Sequence, residues 1–270
     1  MKKVAVSGAF DDLKSRGMRF LQEAGRLGSV HVYLWSDTLV KQATGSDPVF
    51  PQAERTYMVE AIRYVTGVTA TSNLPDANSI PELAKSTIDI WAVATGDDSD
   101  EKRGFCTQHQ IEYQVIDDHR LSGFPEPLQG NPTGKKKAVV TGCYDWFHSG
   151  HIRFFEEVSK LGELYVVVGH DENVRLLKGE GHPLFLESER RYICGSIRHV
   201  HQALVSSGSG WMDAEPEIKN IRPDMYVVNE DGDKHEKRAF CNEHGLQYVV
   251  LRRTPKEGLQ KRSSTTLRGF

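Results

Sequence analysis

Cysteine is scarce: Cys106, Cys143, Cys194 and Cys241 are the only four in 270 residues, and their scatter matches no metal-ligand spacing. That excludes a disulfide-stapled framework and a zinc site built on paired cysteines, and it fits free thiols in a reducing compartment. Long apolar runs are missing too. None reaches the roughly 18 residues a membrane helix needs. The opening "MKKVAVSGAF" runs straight into a strand-like segment instead of the long apolar core of a signal peptide, so a cytoplasmic protein without a membrane partner is expected. Charge of one sign is also lacking. A formal net charge of -3 gives no reason to expect sustained contact with nucleic acid, and it is compatible with a small anionic substrate.

What is present is an internal repeat. "SGAFDDLKSRGMRFLQEAGRLG" (7–28) lies over "TGCYDWFHSGHIRFFEEVSKLG" (141–162) without a gap, and "PVFPQAERTYMVEAIRYV" (48–65) over "PLFLESERRYICGSIRHV" (183–200). The register continues as "IDIWAVATGDDSDEKRGFCTQHQIEYQVI" (88–116) over "RPDMYVVNEDGDKHEKRAFCNEHGLQYVVL" (222–251), so the repeating unit is a whole domain and the chain a tandem duplication. Between the copies, "LSGFPEPLQGNPTGKKK" (121–137) is rich in Pro, Gly and Lys without an apolar period, which marks a linker. The expected domains are 1–130 and 131–270. Within each copy, short Val/Ile/Tyr-rich runs such as "LYVVVG" and "DMYVVN" alternate with amphipathic stretches such as "IRFFEEVSKLG". This alternation predicts α/β domains with a doubly wound, Rossmann-like parallel sheet, whose ligand site lies beyond the carboxyl ends of the strands.

The second copy carries the chemistry in "VVTGCYDWFHSGHIRFF" (139–155), a strand, a glycine turn and a helix expected to start at Ser149 or Gly150. Free N–H groups and the positive end of the helix dipole make that turn an anion site. His148 and His151 flank it, either as donors to phosphoryl oxygens or as caps of the helix. Gly142 lets backbone or ligand approach closely. Asp145 stands nearby, either beside the site or as a turn carboxylate.

The phrase "HSGH" after "TGCYD" resembles the HxGH signature of the nucleotidyltransferase superfamily, which includes cytidylyltransferases and the adenylyltransferases of cofactor and ADP-heptose synthesis. By that resemblance His148 and His151 hold the triphosphate and stabilise its transition state, with Gly142, Cys143, Tyr144, Asp145 and Gly150 around the nucleotide. "DENVRLLKGEGHPLF" followed by "ESERRYICGSIRHV" is similar to the family segment in which a lysine-glycine pair leads into a Glu-Arg helix, which implies Lys178 as a catalytic cation. Arg190 is implied as a nucleotide contact, the alternative being a salt-bridge residue. "KRSSTTLRGF" resembles the family's STT motif, with Ser264, Thr265 and Thr266 in the matching places. It departs from the usual form because "PKEGLQK" widens the gap from Arg253. The alternative is a polar tail.

The first copy has Lys14 where His148 stands, Gly17 for His151 and Arg16 for Gly150, and no Ser-Thr-Thr run follows Ile116. It is expected to be degenerate and catalytically inactive, and the resemblance implies an intrachain pseudo-dimer while leaving a homodimer open. The tandem arrangement is most similar to the phosphoethanolamine cytidylyltransferases. The expected function is therefore transfer of CMP from CTP to a small phosphorylated or phosphonate acceptor with release of pyrophosphate. The alternative is AMP transfer from ATP to a sugar phosphate or related phosphomonoester, as "VRLLKG" resembles ADP-heptose synthase as well. A third reading is a non-catalytic nucleotide sensor. No dedicated metal-ligand motif is visible; the resemblance implies Mg²⁺ held mainly by the nucleotide phosphates, with Asp145 as a candidate near the site. A dehydrogenase is disfavoured because "TGCYDW" does not supply the GxGxxG turn.

Overall fold

A computed structural model describes residues 1–71, 74–81, 87–126 and 129–264. The chain divides into two compact units, Met1–Gly123 and Phe124–Phe270. The first runs β1 (Lys3–Gly8), α1 (Ser15–Leu27), β2 (Ser29–Leu34), α2 (Asp37–Thr44), α3 (Gln52–Glu60), β3 (Val65–Ala70), β4 (Ile90–Ala94), α4 (Asp100–His109) and β5 (Glu112–Ile116). The second runs β6 (Lys137–Gly142), α5 (Ser149–Ser159), β7 (Glu163–Val168), α6 (Asp171–Lys178), α7 (Glu187–Gly195), β8 (Val200–Val205), α8 (Glu215–Ile221), β9 (Met225–Asn229), α9 (His235–Glu243) and β10 (Gln247–Leu251).

Each unit is built on a five-stranded sheet, ordered β3-β2-β1-β4-β5 in the first and β10-β9-β6-β7-β8 in the second. Every ladder is parallel. The expected Rossmann-like, doubly wound class is what is found. Parallel strands covered on both faces need apolar side chains in both directions, and β7 (ELYVVV) is buried at all six positions. In the second unit Val139, Tyr165, Val167, Tyr226 and Val228 from the sheet pack with Ile218, Phe240 and Cys241 from the helices. In the first, Ala5, Tyr33, Trp91 and Val93 pack with Cys106.

The duplication reaches individual hydrogen bonds. Asp89 Oδ2 accepts from Lys3 N at 2.7 Å, and its counterpart Asp224 Oδ2 accepts from Lys137 N at 2.7 Å, each tying the start of the central strand to its neighbour. Asp11 accepts from Val49 N and Phe50 N, as Asp145 accepts from Leu184 N and Phe185 N. Arg55 and Arg190 are both fully buried. Arg55 donates to Phe50 O, Ala9 O, Trp35 O and Asp37; Arg190 donates to Phe185 O, Cys143 O and Asp171. A buried guanidinium persists only when its fork is satisfied, and here it clamps the glycine turn to two helix starts. In the second unit the order reverses between β6 and β9, and in open parallel sheets that crevice takes the ligand.

Candidate active site

The turn after β6 is shaped by two glycines. A Cβ on Gly142 would lie 2.8 Å from the Tyr144 ring, and Tyr144 itself has a left-handed φ of 55°. Its ring, folded back under the strand end, packs edge-on against His151, with centroids 5.4 Å apart. Gly150 matters more. A Cβ there would stand 2.8 Å from His148 Cε1 and 2.9 Å from Nδ1, so only glycine lets that ring lie over the first turn of α5.

Helix α5 begins at Ser149, as the sequence led one to expect, with His148 as its N-cap. His148 Nδ1 accepts from Gly150 N at 3.0 Å, and His151 Nδ1 accepts from His148 N at 3.3 Å, a reciprocal capping box made of two histidines. The rings stack at 4.1 Å between centroids. Two readings of these residues thus meet, because capping consumes only Nδ1. Each neutral ring must then carry its proton on Nε2. His148 is fully buried, and its Nε2 has no hydrogen-bond partner among the described residues. Burial, with Arg253 and Arg262 nearby, holds its pKa down at about 4. Burial, then His148, Arg253 and Lys178, pushes His151 well below the usual histidine value. Both are therefore neutral donors near pH 7.

A cleft of about 270 Å³ opens at the switch point between β6 and β9. It brings together Gly142, Cys143, Tyr144, Asp145, Gly150, His151, Lys178 and Ser264 of the residues expected from the sequence. His148 lies behind this lining. The segment ending at Ser264 rests against the turn that carries it: Ser264 Oγ donates to Trp146 O at 3.3 Å, and Arg262 O lies 3.7 Å from where a Gly150 Cβ would be. Arg190 is not brought to the cleft, because its guanidinium is spent on the buried clamp described above. Thr265 and Thr266 lie outside the described residues. Both carboxylate oxygens of Asp145 accept backbone N–H groups, and among the described residues no cluster of three or more His, Cys, Asp or Glu could hold a metal ion.

Sequence reasoning left Lys237, Asn229 and Gly232 out of the site, yet all three line the cleft, and so does Arg253, which was read only as the residue upstream of the hydroxyl motif. Arg253 is held by Asp231 and donates to Arg262 O at 2.9 Å. A signal for it existed in the repeat, where its register partner is Asp118. In the first unit Asp118 pairs with Arg16 at 2.5 Å, and Lys14 with Asp12 at 2.7 Å. There, the cations of the turn are paired at the surface with the unit's own carboxylates.

Residues 139–269 match the model of the cytidylyltransferase-like family. The FAD synthase of Ferroglobus placidus is 32% identical over 135 residues, 49% of this chain and 85% of that protein. The chain belongs to the cytidylyltransferase-like family. It is an enzyme of the nucleotidyltransferase class. The FAD synthase of Aciduliprofundum boonei is 33% identical over 119 residues, 43% of this chain and 76% of that protein. The bifunctional protein HldE of Desulfatibacillum aliphaticivorans is 38% identical over 93 residues, 34% of this chain and 18% of that protein. These relatives overturn the expected transfer of CMP from CTP, since the FAD named for them carries adenine and not cytosine. The finer resemblance to phosphoethanolamine cytidylyltransferases falls with it. Among the described residues no helix is long and apolar enough to cross a membrane.

Proposed function

We propose that the second unit transfers the adenylyl group of ATP to the phosphate of a small phosphorylated acceptor and releases pyrophosphate. The donor is read from the FAD synthases among its relatives, since FAD carries adenine. The chemistry is read from one observation above all: two stacked, neutral histidines at a helix start with their Nε2 donors left over.

An acceptor phosphate oxygen attacks the α-phosphorus in line, a new P–O bond forms, and the bond to the β-phosphate breaks as pyrophosphate leaves. The attacking phosphate is already anionic at pH 7, so no protein nucleophile or general base is needed, and catalysis is alignment and charge stabilisation. His148 and His151 donate from Nε2 to phosphoryl oxygens, the first-turn amides of α5 add their dipole, and Lys178 and Arg253 supply charge. One preorganised donor of this kind is worth about 10² to 10³ in rate. Among the described residues none form a cage for Mg²⁺, and we assign the ion to the nucleotide phosphates.

We assign the first unit no transfer and a supporting role. Its counterparts of the two histidines are Lys14 and Gly17, and its turn cations are paired. The test is mass detection of the product when the full chain is given ATP, CTP, GTP and UTP together with a panel of phosphomonoesters. Adenylylated acceptor is expected; cytidylylated acceptor alone, or nucleotide binding without any pyrophosphate release, would overturn the reading.

A further inference from the structure

Lys237 lines the cleft from α9, beyond the end of β9, and is half-buried, whereas Lys178 on the other side is exposed. Its ammonium makes no hydrogen bond or ion pair with a described residue. Two carboxylates that act on it are hydrogen-bonded elsewhere: Asp231 holds Arg253, and Asp233 takes Arg238 at 2.9 Å and the Tyr248 hydroxyl at 3.1 Å. What holds Lys237 in place is the face of Tyr226, 5.8 Å from Nζ to the ring centroid, and the Tyr226 hydroxyl is fixed in turn by Thr141 at 2.6 Å. Burial, then Lys234 beside it, lowers its pKa, and Cys241, Asp231 and Asp233 only partly oppose that.

The repeat supplies the contrast. By register Lys237 corresponds to Lys102, which is buried and donates to Asp97 O at 2.6 Å, so the first unit satisfies the same lysine with its own backbone. The register partner of Asp97 is Gly232, and a Cβ on it would lie 4.0 Å from Lys237 Nζ. In the second unit the lysine makes no such bond to the turn, and a Cβ on Gly232 would reach it only at ordinary contact distance. An unpaired, partly desolvated cation facing a cleft is stabilised by an oxyanion.

We propose that Lys237 is a substrate-contacting residue that takes a phosphoryl oxygen on the β9 side of the cleft. This rests on reading the cleft as a phosphate site, not on which base it accepts. The phosphoryl oxygen belongs either to the nucleotide or to the acceptor, and two probes separate them: pyrophosphate for the nucleotide side and inorganic phosphate for the acceptor side.

The experiment titrates each anion into the full chain by calorimetry, for the native protein and for Lys237→Met, Lys237→Arg and Lys102→Met. Loss of one charge-assisted hydrogen bond should weaken at least one anion by about 10- to 100-fold in Lys237→Met. Lys237→Arg should restore most of it, and Lys102→Met should change neither. Removing an unpaired, desolvated charge should also leave the thermal midpoint of Lys237→Met unchanged or raised, whereas a purely structural lysine would lower it. Unchanged affinity for both anions in Lys237→Met, or a native chain that binds neither, overturns the proposal. A native chain that binds pyrophosphate through Lys237 but makes no adenylylated product refutes adenylyl transfer and leaves the assignment of Lys237 standing.

Discussion

Gly150→Ala is the substitution that most sharply separates catalysis from folding. Alanine in a helix ordinarily gains about 0.5 to 1 kcal/mol over glycine. Here the added methyl would sit 2.8 Å from His148 Cε1 and 2.9 Å from Nδ1, and the ring is fully buried with nowhere to go. Overpacking of that kind costs about 1 to 3 kcal/mol, and loss of the cap bond from Gly150 N costs about 1 more. The opposing terms leave a net loss of about 2 kcal/mol, or about 4 to 8 °C in the unfolding transition of a unit this size. The loss in rate should be larger. Displacing the His148 ring removes its Nε2 donor and disturbs the stacked His151, so transfer should fall at least about 100-fold. The first unit shows that the backbone accepts a side chain at this place: Arg16 occupies it, with Lys14 as a cap that makes no side-chain bond. The double substitution His148→Ala with Gly150→Ala should therefore recover much of the stability lost by Gly150→Ala and none of the activity. Thermal melts and pyrophosphate release read the two effects separately. A Gly150→Ala enzyme with native rate would refute the role given to the histidine geometry.

Acid should destabilise the second unit. Below the ordinary histidine value of 6.5, the unfolded chain binds a proton that folded His148, at about 4, does not take. Stability is therefore full above pH 6.5, falls between 6.5 and 4, and from His148 alone is lower by about 2 kcal/mol at pH 5. His151 adds in the same direction, and denaturant midpoints measured from pH 8 to 5 that stay flat would contradict the neutral, buried pair. Arg190→Ala should unfold the second unit or cost about 3 to 5 kcal/mol, because it leaves buried carbonyls and Asp171 without their clamp. A raised KM with an unchanged melt would instead make Arg190 a nucleotide contact. Asp118→Ala in the first unit breaks an exposed pair with Arg16, so calorimetry should register at most about 1 kcal/mol, with no change in transfer rate.

The repeat made the fold legible. Two copies of one apolar pattern in register predicted two parallel sheets, and the helix start at Ser149 followed from the turn residues. The histidines were legible as a pair at that start, because glycine and polar residues there leave backbone donors free. Their charge state was not. It depends on burial and on Arg253 and Arg262, which are more than a hundred residues away in sequence and reach the turn only through the fold. Arg190 misled for a related reason: an arginine on an amphipathic helix looks the same in sequence whether it faces a ligand or, as here, plugs into three backbone and side-chain acceptors beneath the turn. Lys237 was hidden because the first copy keeps a lysine at its place, and only coordinates reveal that one is satisfied by a carbonyl and the other is not. The nucleotide's base was beyond reach of motifs that hold phosphates alone.

The most direct measurement compares His151→Ala with Lys14→Ala in the full chain, following pyrophosphate release from ATP in the presence of a competent acceptor. The account predicts a loss of at least about 100-fold in His151→Ala and a native rate in Lys14→Ala. Equal rates in the two variants, or a loss confined to Lys14→Ala, would contradict it.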